Sequence, residues 1–168
     1  MMKFYFSLSC LLIFSVNIWA QSLGLSDIVV IKDRVKSKRV SSYDRTGGNG
    51  DNIYMIKPGE KRVIFDVKGA GVITHIWMTL SPRPDVLNRS DVILRMYWDG
   101  NSYPSVHAPI GPFFGQGWNE SYDYVALPLS SGPAGGTALV SYFQMPFANG
   151  AKIEIENQAD TAVEALYF

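Results

Sequence analysis

From Tyr54 onward the chain is written in short runs of β-branched and aromatic residues, alternating with polar ones and cut by Gly, Pro, Asn and Asp. A period of two sends successive side chains to opposite faces of an extended backbone, so runs of this kind fold as half-buried strands. No long helical period competes with it. Strands are expected at residues 62–67, 71–80, 92–98, 124–129, 138–145 and 151–157, with Asp99-Gly100-Asn101 as a turn or hairpin tip. Residues 23–30 read as one short helix. Six or so strands with loops of uneven length predict an all-β fold, a jelly-roll-like or Greek-key β-sandwich rather than an even up-and-down barrel.

Residues 1–20 have the pattern of a secretory signal: Lys3 is the only charge, the apolar run centres on Leu11, Leu12, Ile13 and Phe14, and Ala20 precedes Gln21. The run is short for a membrane span, so an exported protein, periplasmic or extracellular, is expected, with no membrane association after cleavage. Cys10 is the only cysteine and lies inside this segment, leaving a mature chain without disulfides or thiolate metal ligands. Residues 21–40 form a connecting segment and residues 41–168 one domain, a division that suits a chain of 168 residues. Fifteen basic and fifteen acidic residues balance to zero, which offers no electrostatic case for nucleic acid. The basic cluster at residues 32–39 alternates with Asp33, Val35 and Ser37 and reads as a solvated connector.

The chain ends in Ala-Val-Glu-Ala-Leu-Tyr-Phe, with strand composition and no Gly, Pro or charge cluster to close it. As a sheet edge it would expose Leu166, Tyr167 and Phe168, which points to a domain truncated at its C-terminus. A final strand with Phe168 packed is the alternative.

Residues 41–51, Ser-Ser-Tyr-Asp-Arg-Thr-Gly-Gly-Asn-Gly-Asp, concentrate acid, base, hydroxyl and amide groups in a glycine-rich turn. Such a turn can curl Asp44, Arg45, Thr46, Asn49 and Asp51 around a small polar ligand such as a sugar. A solvated loop closed by Asx-turns has the same composition. Residues 104–118 form a stiff aromatic loop, in which Phe113 and Phe114 are core plugs or stacking platforms and Trp118, beside Asn119 and Glu120, is the candidate exposed face. His75 and Trp77 share one face of their strand and line a cleft or serve as structure. With only His75 and His107 as histidines and no metal-binding spacing, neither a metal nor another cofactor is expected.

Glycoside hydrolysis needs two carboxyl groups, about 5–5.5 Å apart for retention or roughly 6.5–9.5 Å for inversion. Asp44, Asp51, Glu120 and Asp123 lie in loops but define no pair. Glu154 and Glu156 alternate with Ile153 and Ile155 and read as a structural outer face.

Four segments, in order over nearly all of the mature chain, resemble the N-terminal half of the DUF2961 family, glycoside hydrolase family 172. They are Ser42 to Asp51; Gly-Ala-Gly-Val-Ile-Thr-His-Ile-Trp ending at Trp77; Ala-Pro-Ile-Gly-Pro-Phe-Phe-Gly ending at Gly115; and Tyr-Phe-Gln-Met-Pro-Phe ending at Phe147 with Ile-Glu-Ile-Glu-Asn-Gln ending at Gln158. The resemblance implies the first of two jelly rolls, assembly into homo-trimers or hexamers, and a glycan with furanose units as partner. It also implies retaining, exo-acting hydrolysis or transfer on α-D-fructofuranosides or α-D-arabinofuranosides, with both catalytic glutamates beyond Phe168. A substrate-binding set of Asp44, Arg45, Thr46, Asn49, Asp51, His75, Trp77 and Trp118 comes from the residues and the resemblance together. His107 and Pro112 stand where acidic residues are expected in the aromatic loop. A non-catalytic carbohydrate-binding or oligomer-forming β-sandwich module is the alternative.

Overall fold

The computed structural model describes Asp33 and residues 35–168. The expected signal segment, the helix at 23–30 and most of the connecting segment lie outside the described residues. Every described element falls within Lys38–Phe168. These elements are β1 (Ile53–Ile56), β2 (Lys61–Lys68), β3 (Gly71–Ile73), β4 (Ile76–Ser81), β5 (Val92–Trp98), β6 (Val106–Pro109), α1 (Ile110–Phe113), β7 (Tyr124–Val125), β8 (Leu129–Ser131), β9 (Ala138–Ser141), β10 (Met145–Phe147), β11 (Gly150–Asn157) and β12 (Val163–Tyr167).

Alternation explains the strongest strands. In β11, Ala151, Ile153 and Ile155 are buried while Lys152, Glu154 and Glu156 are only partly covered. In β4, Ile76, Met78 and Leu80 point inward and Trp77, Thr79 and Ser81 outward. Two sheets result, a six-stranded one in the order β1-β12-β4-β9-β8-β7 and a four-stranded one in the order β2-β11-β5-β6, with β10-β3 as a separate ribbon. All their pairings are antiparallel. Inward residues of the first sheet (Ile76, Met78, Leu139, Leu166) and of the second (Leu94, Met96, Ile153, Ile155) belong to one core cluster, joined by Ile110 and Phe114. A core built from two inner faces makes the fold an all-β sandwich. Each such buried side chain contributes about 1.5–3 kcal/mol.

The strand ladders differ from the expected runs at defined places. The expected strand 71–80 breaks at Thr74 and His75, because β3 pairs with β10 while β4 pairs with β9. Residues 124–129 divide into β7 and β8, whose connection is closed by the Ala126 amide donating to the Leu129 carbonyl at 2.9 Å. Residues 138–145 divide into β9 and the start of β10. The strands β1 and β6 were not expected at all; β6 lies inside the stretch read as a continuous aromatic loop. A period of two marks extended chain but carries no sign of where that chain leaves one sheet for another.

The C-terminal segment is also corrected. It is not an open edge: β12 lies between β1 and β4, with Leu166 buried. The Ser42 amide donates to the Phe168 carbonyl at 3.0 Å, and the Phe168 amide donates to Ser42 Oγ at 3.1 Å. Its apolar ending therefore has a packing reason within this sandwich and carries no inference about sequence beyond Phe168.

The expected turn at 99–101 is present. Asp99 adopts a φ of 57° and Gly100 one of 79°, and Asp99 Oδ1 accepts the amides of Ala148, Asn149 and Gly150 at 2.8, 2.6 and 3.3 Å. One carboxylate thereby ties the β5–β6 connection to the turn before β11. Among the described residues, no helix is long and apolar enough to cross a membrane.

Candidate functional site

The polar turn is bonded chiefly to itself. Asp44 Oδ1 accepts the Thr46 amide at 2.9 Å and the Thr46 hydroxyl at 2.7 Å, and Oδ2 accepts the Gly50 amide at 3.1 Å. Thr46, through its side chain and then its amide, and Gly50 together hold the Asp44 carboxyl below its ordinary value. Asp51 Oδ1 accepts the Asp44 amide at 2.7 Å, and Ser42 Oγ donates to the Asp51 carbonyl at 2.8 Å. A Cβ at Gly48 would come within 2.6 Å of Asp44 Oδ2, so a side chain there would displace the carboxylate from its hydrogen-bonded position. Asp44 and Asp51 thus shape the loop, while Arg45, Thr46 and Asn49 are exposed on it. The Arg45 guanidinium stands 5.9 Å from the Tyr43 ring centroid.

His75 and Trp77 are separated in role by the strand break. His75 precedes β4 and its ring lies 4.9 Å from that of Tyr142, tilted by 30°. Trp77, on β4, pairs with Val140 of β9, which pairs with Ser130 of β8, which pairs with Val125 of β7. Trp77 and Val125 are exposed, as are Tyr142 and Phe143 just after β9. The outer face of the six-stranded sheet consequently carries exposed Trp77 and Val125 on one register row, with Val140 and Ser130 between them. In the aromatic loop, Phe114 is fully buried and Phe113 packs on the core edge-to-face with it, 4.9 Å between centroids, so both are core. Trp118 is 90% exposed in a left-handed conformation, φ 57°.

A cleft of about 390 Å³ opens where three loops meet: β4–β5, α1–β7 and β8–β9. None of the eight sequence-derived site residues lines it. Its walls include Arg83, Arg89, Gln116, Asn119, Glu120 and Thr137. Arg89 is 3% and Gln116 1% exposed. Arg89 Nη2 donates to the Leu80 and Pro82 carbonyls at 2.8 and 3.1 Å, and Nη1 to the Leu87 carbonyl at 3.3 Å, with no carboxylate in contact. Burial lowers the Arg89 pKa to about 10. Gln116 Nε2 donates to the Gly136 carbonyl at 2.8 Å and to Ser121 Oγ at 3.2 Å. Sequence reading passed over both, since a loop arginine after Asn88 and a glutamine between two glycines carry the signature of solvated surface.

Apart from Glu120, the remaining carboxylates weighed as chemical candidates also have structural work. Asp123 Oδ1 accepts the Gly136 amide at 2.5 Å. Glu156 is ion-paired with Arg95, and Glu154 with Lys152. Lys152 Nζ also sits 4.1 Å from the Tyr97 ring centroid, and the Tyr97 hydroxyl bonds to Glu154 Oε1 at 3.2 Å. Burial, then the Glu154 charge, pushes the Tyr97 hydroxyl pKa up. Glu120 alone among these has no side-chain bond within the described residues. No group of three or more His, Cys, Asp or Glu among the described residues is arranged to hold a metal ion.

A family model described as GH172 domain-like matches residues 50–167. The match runs from just before β1 to the end of β12, so it spans both sheets and the three loops of the cleft, and it begins after most of the polar turn. No curated protein matches the chain.

Proposed function

The chain belongs to the GH172 domain-like family, and on that premise we propose that it serves a retaining, exo-acting α-furanosidase. The units hydrolysed or transferred would be D-fructofuranosyl or D-arabinofuranosyl, and the sandwich is read as the first of two jelly rolls. The observation that carries this reading is the family match across the entire sandwich. The interleaved order β1-β12-β4-β9 against β2-β11-β5-β6 supports the jelly-roll part of it.

Retaining hydrolysis needs a nucleophile and an acid about 5–5.5 Å apart. Asp44, Asp51, Asp123, Glu154 and Glu156 are engaged by backbone amides or cations and supply no such pair. On the resemblance to the family, and not by elimination, the proposal assigns the two catalytic glutamates to a part of the protein outside this sequence. In this chain Arg45, Thr46 and Asn49 of the turn, with His75, Trp77 and Trp118, contribute hydrogen bonds and flat faces to sugar. Export is inferred from the composition of residues 1–20, and N-terminal sequencing of the secreted protein should begin near Gln21.

Calorimetric titration with an α-linked oligofuranoside tests the reading. Binding that weakens severalfold in Trp77→Ala and in Asn49→Ala is expected, with no release of sugar by this chain alone. Turnover abolished by Asp44→Ala would sink the assignment of the catalytic groups. Absence of binding would favour the second reading, a non-catalytic oligomer-forming module, for which exposed Trp77 and Val125 on the six-stranded sheet, and exposed Tyr142 and Phe143 just after β9, are the specific observation. Light scattering then reads the oligomer, trimer or hexamer against monomer.

A further inference from the structure

We propose that the cleft between the β4–β5, α1–β7 and β8–β9 loops binds a neutral, polyhydroxylated ligand of about one sugar ring, held at its floor by Arg89 and Gln116. The carrying observation is a pair of complementary unpaired atoms. Arg89 Nε and Gln116 Oε1 are both buried and have no hydrogen-bond partner among the described residues. Both residues line the cleft. They are neighbours across Gly111, whose amide donates to the Arg89 carbonyl at 3.1 Å and whose carbonyl accepts the Gln116 amide at 2.9 Å. A Cβ on Gly111 would meet Arg89 Cβ at 2.9 Å, so glycine is what lets the two segments of the floor approach.

The two atoms select a ligand class. Nε is a donor and needs an acceptor; Oε1 is an acceptor and needs a donor. A hydroxyl does both, and a polyol offers several. A fully ionised anion would satisfy Arg89 but leave Gln116 Oε1 unpaired, and a cation would meet the buried guanidinium. The walls carry both signs as well: Arg83 is paired with Asp85 at 3.6 Å, and Glu120 lines the same cleft as Arg89. A volume of about 390 Å³ falls within the usual span for small-ligand sites, about 300–1,000 Å³. Two of the five non-glycine residues with positive φ among the described residues, Asn119 and Ala134, line the cleft. Because both floor atoms are covered, occupancy requires Gln116 to turn from Gly136 and Ser121, and that movement is what the experiment reads. The inference rests on these atoms and not on the family reading.

The test is a ¹⁵N NMR titration of the full chain with D-fructose and, separately, with inorganic phosphate. Saturable shifts of the Arg89 Nε–H and Gln116 Nε2–H₂ signals with D-fructose, and none with phosphate, are expected. Asn119→Gly, which tolerates the positive φ and removes one rim amide, should weaken the binding about three- to tenfold. Gln116→Met should abolish it; if that variant does not fold, Asn119→Gly carries the comparison. Shifts with phosphate and none with D-fructose would overturn the proposal in favour of an anion site. No shift with either would also overturn it, leaving water to satisfy the two atoms. Fructose shifts at Arg89 without any Trp77-dependent binding of oligofuranoside uphold the cleft and count against the proposed function, and the opposite result separates the two in the other direction.

Discussion

Asp44 illustrates how one side chain can be functional in composition and architectural in place. Its carboxylate accepts three hydrogen bonds from Thr46 and Gly50, and its pKa in the folded chain is depressed. A depressed carboxyl pKa stabilises the fold above the unfolded value and loses that effect as pH falls through the folded value. The hydrogen-exchange protection of the Thr46 and Gly50 amides, taken relative to the intrinsic exchange rate at each pH, should therefore hold at neutral pH and fall only below the ordinary aspartate value of 3.8. Asp44→Ala should remove that protection at both amides at every pH; unchanged protection would mean that the turn is held by other bonds. Phe114 makes the contrasting case, because its ring is wholly inside the core. Phe114→Ala should cost about 3–5 kcal/mol, read as a lower denaturation midpoint, whereas a loss below about 1 kcal/mol would contradict the packing.

Among the elements, β12 is the most consequential. Its five residues bridge β1 and β4, so side chains at Val163 and Leu166 close the six-stranded sheet over the core. Leu166→Ala should destabilise by about 2–5 kcal/mol with an unchanged denaturant slope. The exposed partner position Glu164, which accepts a bond from Ser81 Oγ at 3.2 Å, should tolerate Glu164→Ala within about 0.5 kcal/mol. An equal effect at the two positions would mean that the strand is not seated as described. The breaks at Thr74–His75 and after Ser141 belong to the same level of organisation. They move β3 and β10 into their own ribbon and leave His75 beside Tyr142 rather than in line with Trp77.

For the molecule as a whole, alternation made the all-β class and the inner face of β11 legible, and the residue pattern of four segments matched a family that the chain proves to belong to. The turn at Asp99 was legible too, because Asp-Gly-Asn carries its own backbone preference. Those features depend on neighbours in the chain. The cleft does not: Arg89, Gln116 and Gly135 come from three loops, and each residue taken alone resembles surface. The interior position of β12 was equally hidden, since an apolar ending reads the same whether a sheet closes on it or leaves it bare. Local stereochemistry thus settles which stretches extend and which side chains turn inward. Which strands become neighbours, and which buried donor and acceptor are left without a partner, depends on contacts between residues distant in sequence, where packing and hydrogen-bond satisfaction act over the complete sandwich.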